Sequence, residues 1–274
     1  MKVYVVADLE GVSGVGGYDV HDLRSPLAAS RRDRWLDLWT GEMNAAIDGA
    51  LAAGAGEILV VDNHSSGDSL PAGGLRRPAQ LLHGGARPTW LPGLDASCAA
   101  VVIVGQHAMA GDAHGHLRHT YSRRRLEWVR LNGREIGEAG LIAGIAGEHG
   151  VPVVCLTGDD RAVAELLALA PGAEGVAVKR SLSRRACVSI AVEESRERIR
   201  KGVALALGRR DEIEPVHFPA PLSLRVRYHR RDAWRAPARW LRSGCRLNWR
   251  GGRDLRLRGD LLQPIWDRFV GLHA

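Results

Sequence analysis

Four short apolar runs recur through the first part of the chain, and each is bounded by glycine or polar residues. They cover residues 3–7, 57–61, 99–104 and 151–157. Near-continuous Val, Ile and Leu content is typical of strands that are buried on both faces of a parallel sheet. Residues 35–53 and 138–148 have helical character and lie between these runs. This alternation predicts the fold class α/β, as a layered domain with a largely parallel sheet.

The rest of the chain predicts a smaller C-terminal α+β portion. Further helices and strands are expected at residues 161–170, 175–179, 193–207, 222–228 and 261–272, with a boundary near 209–219. We therefore expect an α/β domain over residues 1–210 and a β-rich and helical portion over residues 211–274 that packs on the first. The sequence has no internal repeat and no low-complexity linker that would separate independent domains.

Polar side chains follow each of the four apolar runs. The four groups are Asp8-Leu9-Glu10, Asp62-Asn63-His64, Gly105-Gln106-His107 and Gly158-Asp159-Asp160. In open α/β sheets, ligands bind outside the carboxyl ends of the strands, so these groups are expected to converge on one crevice. Three of the four strand ends offer metal ligands.

The pair Asp8 and Glu10 gives this crevice its chemistry. The two carboxylates share one side of the strand and would repel each other when buried, unless a cation neutralises them. Carboxylates and imidazoles suit zinc, manganese or cobalt, and hydrolases commonly hold two such ions about 3.5 to 4 Å apart. Each position taken singly also has a structural interpretation, because Asp160 could cap the following helix and a strand-end His often only donates a hydrogen bond.

Other motifs limit the types of site that the sequence supports. Residues 11–17 are rich in glycine but match neither the dinucleotide nor the Walker pattern, and Ser13 is not in a nucleophile elbow. The glycines indicate a tight turn or a close backbone approach. In the His-rich stretch 107–119 we interpret His114 and His116 as surface residues. A hairpin is predicted at residues 128–134, before Glu138 at a helix start, where a carboxylate is favourable with the helix dipole.

The net positive charge allows a second class of function, nucleic-acid binding. The formal net charge is +7, and arginines crowd residues 225–258 with Trp234, Trp240 and Trp249 between them. Such a pattern could form a nucleic-acid surface. Only Lys2, Lys179 and Lys201 are lysines, so arginine replaces lysine throughout the chain, and nucleic-acid binding is the weaker interpretation.

The cysteines and the start of the chain favour a cytoplasmic protein. Cys98, Cys155, Cys187 and Cys245 are scattered without a CxxC pair, as expected of reduced thiols. The first residues lack the long apolar stretch of a signal peptide, and no run approaches the roughly 20 apolar residues of a membrane span. We therefore expect no membrane partner.

The ordered set of motifs resembles the zinc-dependent D-aminopeptidases of the dipeptide-transport operon type, peptidase family M55. The matching segments are residues 7–14, 61–65, 105–108, 119–120, 132–133, 137–140 and 158–162, together with Val178-Lys179 and Pro219-Ala220-Pro221. Each motif alone is weak, whereas their order along nearly the whole chain is specific.

The resemblance implies a site with two divalent metal ions, taken as Zn²⁺. It implies that Asp8 bridges the ions, that Glu10, His64, His107 and Glu138 complete the ligands, and that His119 is the catalytic histidine. It also implies a homo-oligomer, a five-fold ring or a decamer of stacked rings. One departure is Val6, which stands where the family has serine and removes a possible hydrogen bond behind a ligand.

The leading hypothesis is therefore a metallo-aminopeptidase that hydrolyses N-terminal D-amino acids from short peptides or amino-acid amides, with His119 transferring a proton. Asp159 and Asp160 could bind the substrate ammonium or shape a loop, and we favour the structural role. The alternatives are a metal-dependent deacylase or amidase in a biosynthetic pathway, a phosphoesterase, and a basic nucleic-acid-binding protein.

Overall fold

A computed structural model describes residues 1–18, 26–230 and 253–271 of the chain, and two β-sheets organise them. The strands are β1 Lys2–Ala7, β2 Glu57–Asp62, β3 Gln80–Leu82, β4 Cys98–Gln106, β5 Leu126–Leu131, β6 Arg134–Glu135, β7 Val153–Asp159, β8 Glu174–Ser183, β9 Ala186–Ser189, β10 Leu222–Tyr228 and β11 Asp254–Gly259. The helices are α1 Pro26–Ala52, α2 Glu138–Glu148, α3 Asp160–Leu167, α4 Val192–Gly208 and α5 Leu262–Gly271.

The large sheet has seven strands in the order β3-β2-β1-β4-β7-β8-β9. Every neighbouring pair is parallel except β8 with β9. The predicted α/β class with a largely parallel sheet is therefore confirmed. Because β2, β1, β4 and β7 are consecutive neighbours, their carboxyl ends lie along one stretch of the same edge.

Helices cover both faces of the large sheet, as burial of its strands requires. One apolar cluster joins Val5 of β1 to Trp39 of α1 and Ile199 of α4. A second cluster joins Tyr4, on the opposite face of β1, to Ile142 of α2. This second cluster also contains the inner face of the small sheet, so the core continues from one sheet to the other.

Helix α1 begins earlier than the predicted residue 35. Its first residue is Pro26, which suits a first helical turn because its missing N–H would have no partner there. Residues 27–34 are exposed or partly exposed, and Leu36 is among the first buried side chains of the helix. The apolar periodicity therefore begins only where the helix reaches the core.

The small sheet is antiparallel, in the order β11-β10-β5-β6. Strands β5 and β6 form the predicted hairpin, with Asn132 and Gly133 both at positive φ in the turn. Strand β10 pairs with β5, so hydrogen bonds join the chain segments on either side of the boundary expected at 209–219. The division into residues 1–210 and 211–274 stays a prediction.

Two described arginines of the basic region, both on β10, are engaged with acidic and aromatic groups. Arg225 and Arg227 both pair with Asp254, and both guanidinium groups lie over the Trp128 ring. Residues 231–252, which include Trp234, Trp240, Trp249 and Cys245, lie outside the described residues. These contacts give the arginines of β10 a role within the small sheet.

Two further expectations concern the described part of the chain. Cys98, Cys155 and Cys187 are free thiols, as expected. None of the helices in residues 26–230 and 253–271 has the length and apolarity that a membrane span requires.

Candidate metal centre

The ends of β1, β2 and β4 bring the predicted side chains together. Asp8 and Glu10 follow β1, His64 follows β2, and His107 follows β4, and all four side chains are buried. The convergence expected from parallel strand order is therefore present. Asp8, Glu10 and His64 each offer a ligand atom, and these atoms lie within 4.8 Å of one another.

Glycine permits the close approach of the chain after β1 to the end of β4. The Asp8 N–H donates to the Val104 carbonyl at 2.8 Å, and the Gly11 N–H donates to the Gly105 carbonyl at 2.7 Å. A Cβ on Gly11 would lie 2.1 Å from the Gln106 carbonyl oxygen. Only glycine fits here, so Gly11 serves a close backbone contact, one of the roles suggested by the sequence.

The Asp8 carboxylate turns its two oxygens towards different histidines. Its Oδ1 lies 3.3 Å from His64 Nδ1, and its Oδ2 lies 3.4 Å from His107 Nε2. Glu10 Oε2 lies 3.0 Å from the same nitrogen of His64. On the other side, Glu138 Oε1 lies 3.3 Å from His107 Nε2. Asp8 thus stands between two pairs of donors, each pair made of one carboxylate and one imidazole.

The orientation of the His107 ring is fixed by the backbone. His107 Nδ1 is 2.9 Å from the Ala108 carbonyl oxygen, an acceptor, so Nδ1 carries the proton and donates. The other ring nitrogen, Nε2, then faces Asp8 and Glu138. A histidine that binds a metal through one ring nitrogen commonly donates the other to a carbonyl in this way.

Glu138 is held at the first residue of α2. The N-cap, Gly137, has no side chain to cap the helix. Glu165 from α3 takes that role, because its carboxylate accepts the Gly137 N–H at 2.6 Å. The Tyr121 N–H donates to Glu138 Oε1 at 2.7 Å. A neighbouring helix and the preceding loop therefore orient this carboxylate.

His119 lies beside these residues and is partly exposed. Its Nδ1 donates to the Leu117 carbonyl at 2.9 Å, which leaves Nε2 as the acceptor. Its ring stacks on His107, with centroids 3.7 Å apart. His119 also offers a ligand atom within 4.8 Å of those of Glu10 and His107. Its position thus allows proton transfer or metal ligation.

The buried carboxylates favour a positive charge close to them. Burial, followed by the charge of Glu10, raises the pKa of Asp8 to about 6. Burial alone would lower the pKa of His107, but Asp8 and Glu138 raise it to about 10. For His119, burial and then the charge of His107 lower the pKa to about 4. The carboxylates therefore stabilise a cation at the position of His107 Nε2.

These donors fit zinc. Three buried carboxylates and two buried imidazoles supply oxygen and nitrogen ligands, the third imidazole, His119, is partly exposed, and no thiolate is among them. Within the part of the chain that the structure describes, no lysine or arginine side chain pairs with Asp8, Glu10 or Glu138. A divalent cation would supply the missing counter-charge.

Comparison with known proteins places the chain in a family. Residues 1–242 match the peptidase family M55, which is described as D-aminopeptidase. The chain belongs to peptidase family M55. Membership makes it a peptide-bond hydrolase and confirms the resemblance drawn from the ordered motifs.

A protein sequence and a solved structure, both from Bacillus subtilis, are similar to this chain. One, a D-aminopeptidase from strain 168, is 31% identical over 227 residues, which cover 80% of this chain and 78% of that protein. The other is the solved structure of the Zn-dependent D-aminopeptidase DppA, a self-compartmentalizing protease. It matches with a TM-score of 0.90 and 26% identity, and the match covers 100% of this chain and 97% of that chain.

Two buried charged residues of this M55 chain were not predicted as site residues, although Val178-Lys179 is among the segments that resemble the family. Lys179 of β8 donates from Nζ to the carbonyls of Glu10 at 2.7 Å and Val15 at 2.6 Å. Glu42 of α1 accepts the Ser13 N–H at 3.0 Å. Both side chains brace the loop that carries Glu10. The available signal was the rarity of lysine in an arginine-rich chain.

The remaining strand-end acids organise loops. Asp62 accepts the N–H groups of His64 at 3.0 Å and Ser69 at 2.6 Å. Asp159 caps α3 by accepting the Arg161 N–H at 2.9 Å, and Asp160 accepts the Ser181 N–H at 2.9 Å. These contacts support the structural role over the binding of a substrate ammonium.

The interpretation of His116 as a surface residue is wrong, whereas His114 is exposed. His116 is 1% exposed, and its N–H donates to Ser181 Oγ at 2.7 Å. The loop before His119 therefore docks on β8. The sequence did not indicate that His116 is buried, because its stretch of chain is polar and the contact with Ser181 is made by the backbone.

Val6, at the position of the family serine, is fully buried. It pairs in register with Val61 of β2 and Ile103 of β4, and all three belong to one apolar cluster. In this chain the position thus contributes to the core behind the metal centre.

Proposed function

We propose that this chain is a zinc-dependent D-aminopeptidase that releases N-terminal D-amino acids from short peptides and amino-acid amides. The observation that carries the proposal is the position of Asp8 between two donor pairs, His64 with Glu10 and His107 with Glu138. Membership in a family described as D-aminopeptidase supplies the reaction class. The similar DppA is described as Zn-dependent.

Two zinc ions suit this arrangement. Asp8 would bridge them, with His64 and Glu10 as ligands at one position and His107 and Glu138 at the other. Zinc, when bound, supplies a Lewis acid that polarises a carbonyl and activates water near neutral pH. The protein contributes a buried pocket in which the five donors are already fixed by strand ends, the start of α2 and backbone hydrogen bonds.

His119 is the proposed proton-transfer group. Its Nδ1 is held by the Leu117 carbonyl, so Nε2 can take a proton from the attacking water and pass it to the departing amine. The ring is partly exposed while His107 beneath it is buried. It therefore stands between the buried ligands and the solvent from which a peptide enters.

The experiment that tests this function is a chiral substrate screen after metal analysis. The zinc-loaded protein is assayed against D- and L-amino-acid amides, short peptides, acylated amines and phosphate esters. Hydrolysis of D-amino-acid amides and D-peptides, abolished by a chelator and restored by zinc, is the expected result. Activity confined to acylated amines would favour the deacylase alternative, and activity confined to phosphate esters the phosphoesterase.

We also propose that the protein assembles into a homo-oligomer, with a five-fold ring or a decamer of two rings as the expected form. DppA is described as self-compartmentalizing. In this chain Leu182 is 50% exposed and Val188 is 46% exposed, on β8 and on β9 at the edge of the large sheet. Light scattering coupled to gel filtration measures the mass, and a monomeric mass would contradict the assembly.

A further inference from the structure

The loop that follows His119 keeps its next residues near the metal centre. The Tyr121 N–H donates to Glu138 Oε1 at 2.7 Å, and Tyr121 itself is held at positive φ, a conformation that redirects the chain. Arg123 comes only two residues later. The backbone thus places an arginine within a short reach of a proposed metal ligand.

Tyr18 contacts both His119 and Arg123, and so holds the Arg123 side chain near the proposed site. The Tyr18 ring meets the His119 ring edge-on, with centroids 6.0 Å apart. The guanidinium carbon of Arg123 lies 4.3 Å from the centroid of the same Tyr18 ring. His119, Tyr18 and Arg123 therefore form a continuous wall, and all three side chains are partly exposed.

Arg123 has no carboxylate partner among the described residues, and its guanidinium group packs on the Tyr18 ring. By contrast, Arg225 and Arg227 are paired with Asp254. Contact with an aromatic face restrains a guanidinium but leaves its N–H fork available for a carboxylate. The neighbouring Arg124 and Arg125 are exposed. Arg123 is thus held against an aromatic ring that itself contacts His119.

The distances match a very short peptide. The guanidinium carbon can be no farther from the His119 ring centroid than the combined spans of 6.0 Å and 4.3 Å. One residue of extended chain spans at most about 3.6 Å, so a di- or tripeptide places its terminal carboxylate about 4 to 7 Å beyond the scissile carbonyl. With an arginine–carboxylate hydrogen bond of about 2.8 Å added, this length stays within the limit on the distance between the His119 ring and the Arg123 guanidinium.

We propose that Arg123, restrained by Tyr18, binds the C-terminal carboxylate of a di- or tripeptide substrate. This inference rests on the proposed aminopeptidase function and assigns the residue that would recognise the free C-terminus of a short peptide. Bound cations would offset the charges of Asp8, Glu10 and Glu138, so the distal carboxylate of a substrate would find its cationic partner on the wall, in Arg123. A bidentate guanidinium contact meets that requirement.

The test compares one dipeptide with its own C-terminal amide. For D-alanylglycine, Arg123→Gln is expected to lower kcat/KM by about 10- to 100-fold, mainly through a higher KM, because a charge-assisted pair is removed. For D-alanylglycine amide the loss is expected to be much smaller. Arg123→Lys should recover part of the difference, since a point charge replaces the fork. Arg124→Gln, one residue away and exposed, is the matched control and should behave as wild type on both substrates.

A binding measurement separates this inference from the function on which it rests. Calorimetry with a reduced-bond D-alanylglycine, whose scissile amide is a methyleneamine, and with the amide of that analogue needs no turnover. Wild type should bind the acid more tightly than the amide, and Arg123→Gln should abolish that preference. Equal losses for acid and amide, or no loss for either, would overturn the role of Arg123. Failure of wild type to hydrolyse any D-substrate would instead overturn the proposed function.

Discussion

The imidazole rings of His107 and His119 stack with centroids 3.7 Å apart and planes inclined by 15°. Each ring donates Nδ1–H to a backbone carbonyl of its own loop, Ala108 for His107 and Leu117 for His119. The acceptor nitrogens are therefore fixed by backbone. Two imidazoles in such contact are not both readily converted to the cationic imidazolium form, because like charges this close repel.

His119→Ala separates proton transfer from metal binding. We expect kcat to fall by about 10²- to 10⁴-fold, the usual contribution of a positioned acid or base. Zinc content should stay at the wild-type level, because Asp8, Glu10, His64, His107 and Glu138 remain. Steady-state kinetics and elemental analysis of the same preparation measure both quantities. Loss of zinc from the variant would make His119 a ligand instead.

Glu10→Gln tests the ligand set with little change in volume. We expect zinc affinity to fall by more than about 100-fold, because partners of ligands alone are worth about 10- to 100-fold. A competition titration against a chelator measures the affinity, and Glu57→Gln, on an exposed residue at the start of β2, is the control. Wild-type affinity in Glu10→Gln would remove Glu10 from the site.

Glu42 gives a stability that depends on pH. Burial raises its pKa to about 7 from an ordinary value of 4.5, against the lowering effects of Ser195, Ser13, Lys179 and Arg196. A group with a raised pKa stabilises the fold fully below its unfolded pKa, and this contribution is lost as pH rises through the folded value. From pH 4 to 8 the wild type should therefore lose about 1 to 3 kcal/mol through Glu42.

The variant Glu42→Gln keeps an acceptor for Ser13 and cannot ionise. The free energy of unfolding, measured in denaturant at pH 4, 6 and 8, should decline less steeply for the variant than for wild type. Parallel pH dependences would mean that Glu42 does not titrate in this range.

Lys179→Met removes the brace behind Glu10. The carbonyls of Glu10 and Val15 would lose a buried donor, at a cost of about 1 to 3 kcal/mol for each group left unsatisfied. We expect a lower free energy of unfolding together with weaker zinc binding, because the loop that carries a ligand is released. Lys201→Met, at an exposed helix position, is the control. Unchanged zinc affinity would confine Lys179 to stability.

The parts of the fold and site that could be predicted from sequence are those that depend on short, continuous stretches of the chain. Strand β1 is an unbroken apolar run that ends at Asp8, and this pattern fixes both the strand and the direction of its end. His64 and His107 follow by the same rule. His119 and Glu138 lie outside strand ends, so only the family resemblance pointed to them. The role of Lys179 was not predicted, because its hydrogen bonds connect residues that are far apart in sequence.

The small sheet illustrates the same limit. Residues 254–259 were expected only as part of an arginine-rich region, yet β11 forms because Leu255 and Leu257 alternate with the arginines and face the core. Its pairing with β10, and that of β10 with β5, joins distant segments. Such pairing depends on tertiary packing that short sequence windows do not encode.

The proposed metal ligands come from four separate places in the sequence, at residues 8–10, 64, 107 and 138. In the unfolded chain, bringing such distant points together costs loop-closure entropy. An ion shared by these donors would therefore act as a reversible cross-link whose formation reports complete assembly of the sheet edge. A chain in which β4 had not paired with β1 would present no centre, so metal occupancy would count the correctly folded molecules in a preparation.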